Sequence, residues 1–584
     1  MSDPDYGEVR VTEHRDRDDL LSAGLGLAGL AGPASPFADP QDPDPAELRR
    51  RAIQGSWKGI ADLGPLGGYG RVYGGVPHVP GREYQAFARL PGARAPHRVL
   101  LQVPDGFDTR RRCLVVAPSS GSRGIYGAIA LAGAWGLPRG CAVAYTDKGA
   151  GSGYFDHADQ SGVALDGRRA TRGSAALEFQ PMPSPAAAGI AVKHMHSGDN
   201  PEAEWGRYVL QAVRFGLAML DQALPHEAPF TPQNTKIIAV GLSNGGGAVL
   251  QAAGIDRDGW LAGVVALAPN VHVPGRGRPL YDYATEAAIW LPAALGDVHF
   301  AGTPFARDAA GRVTPAMKVR CASLRAQGKL AANAASEQSA QALQYLRTRG
   351  WGDKAMATAA STTAFDLWRT LAAGYASAYL RRQATDMPCG FRYAATAADG
   401  SPALADAATR AAWWADGAGI PPGNGIGLFG GDQVSTDPSL IGLEGLRKLW
   451  TGDDHEAQAL QASVAATAVK LPRNGLPLWV VHGEDDGLLP EAFTSTPYVG
   501  WLRDHGRRPL YWKVPSAQHF DAFLALPGFG EKHAPLLPYG YAALDRLWAH
   551  LYEGADWPAE LATPAARPRG AGPLEQGMLG LARD

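Results

Sequence analysis

Near the middle of the chain the sequence reads Lys236-Ile-Ile-Ala-Val-Gly-Leu-Ser-Asn-Gly-Gly-Gly-Ala-Val-Leu250. A β-branched apolar run leads into Gly-Leu-Ser-Asn-Gly, and small and apolar residues follow, which predicts a strand, a sharp turn and a helix. A Cβ at Gly241 or Gly245 would collide with the neighbouring strand or helix. This context indicates a nucleophile elbow, a turn that holds Ser243 Oγ above a sheet at the N-terminus of a helix.

The length and composition of the chain limit which folds and which partners are expected. It has 584 residues, of which 45% are apolar and 19% charged, so it is globular and suits one large domain with an insertion or several domains. The net charge is −2 and no long basic run occurs, so we do not expect nucleic acid as a partner.

No stretch approaches the roughly 18 to 20 apolar residues of a membrane span. The short Gly-rich run Leu20–Gly32 follows acidic residues rather than the basic ones of a signal peptide. We therefore expect a cytoplasmic protein for the chain as given, or a periplasmic or extracellular one if a signal has been removed.

The four cysteines show no C-x-x-C spacing, so a zinc knuckle or a thioredoxin-like motif is not supported. Cys113 and Cys141 lie in apolar runs and are expected to be buried thiols. The sequence leaves open whether Cys321 and Cys389 pair.

Other apolar runs lie on both sides of the elbow and alternate with helical patterns. Such alternation predicts an α/β fold whose mostly parallel sheet is covered on both faces. The predicted strands are Arg98–Pro104, Cys113–Pro118, Cys141–Tyr145, Lys236–Val240, Leu261–Ala268, Leu476–Val481 and Leu510–Val514, and the helices include Ala46–Lys58, Trp205–Leu224 and Tyr541–Tyr552.

The alternation stops in an Ala-rich, mostly helical segment and then resumes. A core that is interrupted and later completed is typical of an inserted cap domain. We predict an N-terminal arm packed on the core (1–80), a first part of an α/β-hydrolase core (81–279), a large helical cap or lid (280–470) inserted before the last strands, and a second part of the core (471–584).

A reactive serine needs a base and a carboxylate that orients the base, in the order Ser, acid, His for this fold. The loop Val481–Pro490 resembles an H-G-x-x-D-x-V-V-P pattern, which selects Asp486 as the acid and leaves Asp485 as the alternative. The base is predicted to be His519, which directly follows the strand Leu510–Val514. The competitors His505 and His533 do not follow a strand end so directly.

Two N–H groups should stabilise the oxyanion of the reaction. One is the backbone N–H of Asn244, the residue after the nucleophile. The other is expected from Ser120 or Gly121, in the loop after the Cys113–Pro118 strand, where the Ser119 hydroxyl is a further candidate for substrate binding. In the cap, Trp413, Trp414 and Phe429 are candidates for an apolar substrate groove, with packing inside the cap as the alternative.

The sequence gives little support for a metal site or a phosphate-binding loop. The adjacent carboxylates Glu484, Asp485 and Asp486 lack a further ligand at suitable spacing. His194 and His196 have metal-like spacing, but an ordinary loop is favoured. Gly149–Gly153 is glycine-rich without the Lys-Ser/Thr pair of a phosphate-binding loop. We predict no metal and no organic cofactor.

Several long strings in the chain resemble the D-(−)-3-hydroxybutyrate oligomer hydrolase family. The resemblance covers most of the chain and lies in Asp18–Gly26, Ala117–Ala128, Trp135–Gly149, Gly241–Gly246 and Gln518–Phe523. It implies a serine esterase with Ser243 as nucleophile, which cleaves short soluble 3-hydroxybutyrate oligomers to the monomer. The alternatives are the same machinery acting on other esters, such as aromatic polyester fragments, and a catalytically silent hydrolase fold that binds a polyester granule or another protein.

Overall fold

A central sheet of nine strands runs through the protein, and a four-stranded and a three-stranded sheet accompany it. The structure is a computed structural model that describes residues 6–184, 188–416, 423, 425–430 and 436–581. Its strands are β1 (Arg10–His14), β2 (Gly81–Ala88), β3 (His97–Pro104), β4 (Cys113–Pro118), β5 (Ala142–Thr146), β6 (Tyr154–Asp156), β7 (Ser161–Val163), β8 (Arg169–Thr171), β9 (Ile190–Val192), β10 (Lys236–Leu242), β11 (Leu261–Leu267), β12 (Arg392–Thr396), β13 (Pro402–Ala403), β14 (Ile426–Phe429), β15 (Leu478–Gly483) and β16 (Leu510–Val514).

Helices cover the sheet and build most of the segment between β11 and β15. They are α1 (Gly26–Ala31), α2 (Pro45–Ile60), α3 (Ala134–Gly136), α4 (Lys193–His196), α5 (Pro201–Ala223), α6 (Asn244–Ile255), α7 (Leu280–Ala294), α8 (Pro315–Ala326), α9 (Ala335–Thr348), α10 (Asp353–Ala364), α11 (Leu367–Tyr379), α12 (Ala407–Ala412), α13 (Leu443–Thr451), α14 (His455–Ala465), α15 (Ser495–Asp504), α16 (Leu537–Tyr552) and α17 (Gln576–Leu579). No helix in the described ranges is long and apolar enough to cross a membrane.

The central sheet is mostly parallel, as predicted. Its order is β1-β2-β3-β5-β4-β10-β11-β15-β16. The six strands from β5 to β16 pair in parallel, whereas β1, β2 and β3 form an antiparallel edge. The strands β3 and β4 are buried along their whole length, because one apolar core lies on each face of the sheet. This architecture is an α/β-hydrolase fold with a large helical cap inserted before the last two strands.

The described part of the cap holds helices α7 to α14 and the small sheet β13-β12-β14. A separate apolar core fills it, and that core includes Leu280, Leu371 and Tyr375. The segment predicted as an N-terminal arm contributes β1 to the sheet edge and α2 to the core of one sheet face. The domain limits at 80, 279 and 470 stay predictions.

Three groups of strands in the described residues were not expected from the sequence, and one of them is the small cap sheet β13-β12-β14. β1 and β2 form the antiparallel edge, where polar residues such as Glu83 and Gln85 interrupt the apolar alternation. The strands β6 to β9 each have three residues and form the second sheet, in the order β8-β7-β6-β9. Runs this short carry no periodicity that a sequence pattern could reveal.

The expectation for the cysteines was wrong. Cys113 and Cys141 form a disulfide, and their Cα atoms lie 4.7 Å apart. Cys113 begins β4, and Cys141 directly precedes β5. These strands are parallel neighbours whose register pairs Leu114 with Ala142, so the two sulfur atoms meet between them. Cys321 and Cys389 are both free, the first buried and the second exposed.

Candidate active site

The nucleophile elbow lies between β10 and α6. Ser243 has φ 61° and ψ −124°, a backbone conformation that non-glycine residues rarely adopt and that recurs at functional turns. The turn is possible because both flanking glycines lack a Cβ. A Cβ on Gly241 would lie 2.2 Å from the carbonyl oxygen of Gly245, and one on Gly245 would lie 2.5 Å from that of Pro118. Ser243 is thus held at the C-terminal end of the central strand.

Three residues from distant parts of the chain meet at this turn. His519 Nε2 lies 2.9 Å from Ser243 Oγ, and His519 Nδ1 lies 2.7 Å from Asp486 Oδ2. With the ring hydrogen on Nδ1, the imidazole donates to Asp486 and accepts from the serine hydroxyl. Asp486 follows β15 and His519 follows β16, so parallel strands bring the three side chains to one edge of the sheet.

The carboxylate of Asp486 is buried and saturated with donors. Oδ1 accepts the backbone N–H groups of Leu488 and Leu489, at 2.9 and 2.7 Å, and His482 Nε2 donates to Oδ2 at 3.2 Å. Burial alone would raise the pKa of Asp486, but His519 and His482 outweigh it and hold the pKa well below its usual range. The side chain is therefore ionised and fixed in its orientation.

The alternatives considered for acid and base lie elsewhere. Asp485 Oδ2 lies 3.2 Å from His533 Nδ1, and Asp485 Oδ1 lies 3.7 Å from Lys354 Nζ. His505 lies at the exposed end of α15, where its Nδ1 contacts the carbonyl oxygen of Trp501. The geometry brings Asp486 and His519 to Ser243, and none of these alternatives.

The predicted oxyanion donors surround the serine. Ser120, Gly121 and Asn244 all line the same cavity as Ser243 and His519. A Cβ on Gly121 would lie 3.0 Å from Asn244 Nδ2, so the two loops are in contact. Within the described residues, the backbone N–H groups of these three residues donate to no acceptor. They are available for a substrate oxygen.

The cavity above Ser243 measures about 70 Å³. By the same measure one water needs about 10–15 Å³, so the space suits a group of several heavy atoms. The core supplies its polar side, and the cap helices α7 and α11 supply much of its apolar side. The lining residues are Gly59, Ile60, Ser120, Gly121, Ser122, Arg123, Ala150, His194, Met195, Leu242, Ser243, Asn244, Leu280, Leu367, Thr370, Leu371, Tyr375, Leu488, Leu489, His519 and Phe520.

Four candidates for substrate binding do not line this cavity. Ser119 is 1% exposed, and its backbone N–H donates to Thr146. Trp413 packs edge-on against Tyr154, whereas Trp414 packs against Tyr126 and the Arg98 guanidinium. Phe429 ends β14 in the small cap sheet. Trp413 belongs to the apolar core of the cap, as the alternative interpretation of the sequence held, whereas Trp414 belongs to the core on one face of the central sheet.

Several polar residues around the site were missed. His194 and Tyr375 line the cavity, and behind them Glu202 and Lys148 form a buried ion pair. Tyr375 Oη accepts a hydrogen bond from Asn244 Nδ2 at 3.0 Å, which joins the cap helix α11 to the residue after Ser243. The histidine spacing at 194 and 196 drew attention in the sequence, but only burial distinguishes such a pair from an ordinary loop.

Comparison with known proteins shows the family of the chain. The family model of the 3HB-oligomer hydrolases (3HBOH) matches residues 4–579. A D-(−)-3-hydroxybutyrate oligomer hydrolase of Paracidovorax citrulli is 37% identical over 625 residues, covering 95% of this chain and 88% of the relative. The protein of the same name from Cupriavidus metallidurans is 36% identical over 608 residues, covering 93% and 83%.

Solved structures with some likeness are esterases and lipases. Feruloyl esterase B from Aspergillus oryzae has a TM-score of 0.36 and 12% identity, with 85% of each chain covered. Lipase A from Candida antarctica has a TM-score of 0.36 and 11% identity, with 86% of this chain and 84% of the other covered. On the family model and the relatives, the chain belongs to the 3HB-oligomer hydrolase family and is a carboxylic ester hydrolase.

Proposed function

We propose that this protein hydrolyses short 3-hydroxybutyrate oligomers to the monomer through an acyl-enzyme on Ser243. The observation that carries the proposal is the unbroken hydrogen-bonded series from Ser243 Oγ through His519 to the buried carboxylate of Asp486. The names of the relatives point to the substrate, and the small, largely apolar cavity is consistent with a short aliphatic acyl unit.

In the first half of the reaction, Ser243 Oγ attacks the ester carbonyl carbon while its proton passes to His519 Nε2. The carbonyl oxygen becomes an oxyanion beside the N–H groups of Asn244 and of Ser120 or Gly121. When the intermediate collapses, the carbon–oxygen bond to the alcohol half breaks, and that oxygen takes the proton from His519. Asp486 stabilises the imidazolium between these steps and keeps the ring in its tautomer.

In the second half, His519 removes a proton from water, and the hydroxide oxygen attacks the acyl carbon. The bond between this carbon and Ser243 Oγ then breaks, and the serine recovers a proton from His519. The products of one cycle are a hydroxy acid and the shortened alcohol half. The protein groups named here suffice for every proton transfer.

Product analysis of 3-hydroxybutyrate trimer by mass spectrometry tests the proposal, with Ser243→Ala as the control. We expect monomer from the wild type and a loss of several orders of magnitude in turnover for the variant. Near wild-type hydrolysis by Ser243→Ala would refute the mechanism. No cleavage by a wild type whose Ser243 still reacts with a fluorophosphonate would refute the substrate and leave the esterase.

A further inference from the structure

A second group of buried polar side chains lies against the cavity, next to the Ser243 triad. It consists of His194, Glu202, Lys148 and Tyr375, and we call it the His194 cluster. His194 is 1% exposed, lies on the short helix α4 and lines the cavity. The mechanism above assigns it no role.

The hydrogen bonds of the cluster fix which nitrogen of His194 carries its hydrogen. His194 Nε2 lies 2.6 Å from Glu202 Oε1, and Lys148 Nζ donates to the same oxygen. Burial alone would raise the pKa of Glu202, but Lys148 and His194 lower it to about 2. Because the carboxylate is ionised and can only accept, Nε2 of His194 must be the donor.

The other ring nitrogen has no partner. Burial lowers the pKa of His194, so at neutral pH the ring is neutral, its hydrogen lies on Nε2 and Nδ1 presents a lone pair. Nδ1 is buried and has no hydrogen-bond partner among the described residues. The two ring nitrogens point away from each other, so Nδ1 is directed away from Glu202. His194 lines the cavity, whereas Glu202 does not.

A buried lone acceptor selects a ligand that brings a hydrogen-bond donor. A 3-hydroxybutyrate oligomer at neutral pH contains methyl groups, ester oxygens and one carboxylate, none of which is a donor. Its single donor is the free hydroxyl group at one end of the chain. Leu280, Leu367 and Leu371 of the cap also line the cavity and provide apolar contacts for the methyl group of the same unit.

We propose that His194 Nδ1 accepts a hydrogen bond from the free terminal hydroxyl of the substrate, so that the enzyme recognises the hydroxyl end and cleaves the oligomer one unit from that end. His194 is then a specificity-determining residue, and Glu202 and Lys148 set its tautomer. The inference rests on the proposed function, and it adds the end from which oligomers are shortened.

Two dimer analogues test the recognition directly. In 3-butyryloxybutyrate a hydrogen replaces the terminal hydroxyl, and in the methyl-capped dimer the oxygen remains but its hydrogen is lost. We expect the wild type to have a kcat/KM for the 3-hydroxybutyrate dimer about 10- to 100-fold above that for either analogue. Equal values for the dimer and both analogues would overturn the inference.

Substitution of His194 tests whether this residue is the acceptor for the terminal hydroxyl. His194→Leu removes the acceptor, whereas His194→Asn retains an oxygen that can reach the position of Nδ1. We expect the ratio of kcat/KM between dimer and 3-butyryloxybutyrate to fall toward one in His194→Leu and to stay higher in His194→Asn. The control His505→Leu, on the exposed end of α15, should keep the wild-type ratio. A wild-type ratio in His194→Leu would overturn the assignment.

The outcomes separate this inference from the proposed function. No hydrolysis of any 3-hydroxybutyrate oligomer refutes the proposed function, whereas hydrolysis of the dimer without preference for the hydroxyl refutes only the inference. Fluorophosphonate labelling of Ser243 reports whether each variant keeps a folded site. If His194→Leu does not fold, the wild-type comparison of the dimer with its two analogues still decides whether the terminal hydroxyl is recognised.

Discussion

Asp486 has to be ionised and correctly oriented at once, and its surroundings provide both. Two backbone N–H groups hold one carboxylate oxygen, and His519 and His482 hold the other. The neighbouring Asp485 carries the same charge but contacts His533. Two adjacent, chemically identical residues therefore differ in role only through the direction in which the loop after β15 turns them.

This difference predicts unequal effects of two matched substitutions. Asp486→Asn replaces the charge that stabilises the imidazolium and disturbs the tautomer of His519, and we expect kcat to fall about 10³- to 10⁴-fold. Asp485→Asn should change kcat by only a few-fold. Steady-state kinetics on one ester measures both, and a larger loss in Asp485→Asn would contradict the assignment.

At the scale of secondary-structure elements, the elbow requires β10, α6 and the loop after β4 to approach within contact distance of one another. Gly241 and Gly245 mark the two closest approaches. At its other end β4 is linked to the start of β5 by the disulfide between Cys113 and Cys141. Both features constrain the strand that precedes the oxyanion loop.

Replacing Gly241 tests the close approach. A Cβ in Gly241→Ala would lie 2.2 Å from the Gly245 carbonyl oxygen, and this backbone cannot give way without moving Ser243. We expect a loss of about 1–3 kcal/mol in the free energy of unfolding, or no folded protein. Gly106→Ala is the matched control, because nothing lies within 4 Å of its Cβ position. Equal melting temperatures for the two variants would show that the elbow tolerates a side chain.

The disulfide between Cys113 and Cys141 predicts how many cysteines react with a thiol reagent and how much stability is lost when the bridge is removed. Under denaturing, non-reducing conditions we expect a thiol reagent to modify two cysteines per chain, because Cys321 and Cys389 are free. The bridged residues are 28 positions apart, so replacing both with Ala should lower the free energy of unfolding by about 3–4 kcal/mol. Modification of four cysteines in the unreduced protein would contradict the bridge.

At the scale of the whole molecule, the candidate active site lies between core and cap. The core contributes Ser243, Asp486 and His519, whereas the cap contributes apolar side chains and Tyr375, which accepts a hydrogen bond from Asn244. Buried carboxylates with lowered pKa values tie the segments of the core together, among them Glu83 with Arg49, Glu178 with Arg98, and Glu202 with Lys148. Their charges make the stability of the whole fold depend on pH.

The lowered pKa of Glu202 predicts the direction in which the stability of the fold changes with pH. Its pKa is about 2 in the folded chain and 4.5 when free, so between these values the unfolded chain binds more protons. The contribution, on the order of 3 kcal/mol, is fully present above pH 4.5 and is lost as the pH falls toward 2.

Melting temperatures between pH 7 and pH 3 measure this effect. Glu202→Gln should be less stable than the wild type at pH 7 and should lose less stability on acidification. Glu204→Gln, at a half-exposed position of the same helix α5, is the control and should follow the wild-type curve. An identical pH dependence in Glu202→Gln and the wild type would contradict the prediction.

The sequence alone determined the fold class and the candidate triad. Cys113–Pro118 and Leu510–Val514 have the bounds predicted for them. The first is continuously apolar because it is buried on both faces, whereas the second lies at the sheet edge and alternates buried with half-buried residues. Ser243, Asp486 and His519 could be chosen because each follows a strand, and the C-terminal ends of parallel strands meet at one edge of the sheet. Local pattern and chain order carry this information.

The tertiary structure decided what depends on neighbours distant in sequence. The Cys113–Cys141 bridge follows from strand register, and the direction of Asp486 follows from a loop conformation. Trp413 and Trp414 match a binding groove in composition, yet they pack inside the protein. His194 gains its candidate role only because Glu202, Lys148 and the cap surround it. Burial and partner geometry arise from contacts between distant segments, and no local pattern encodes them.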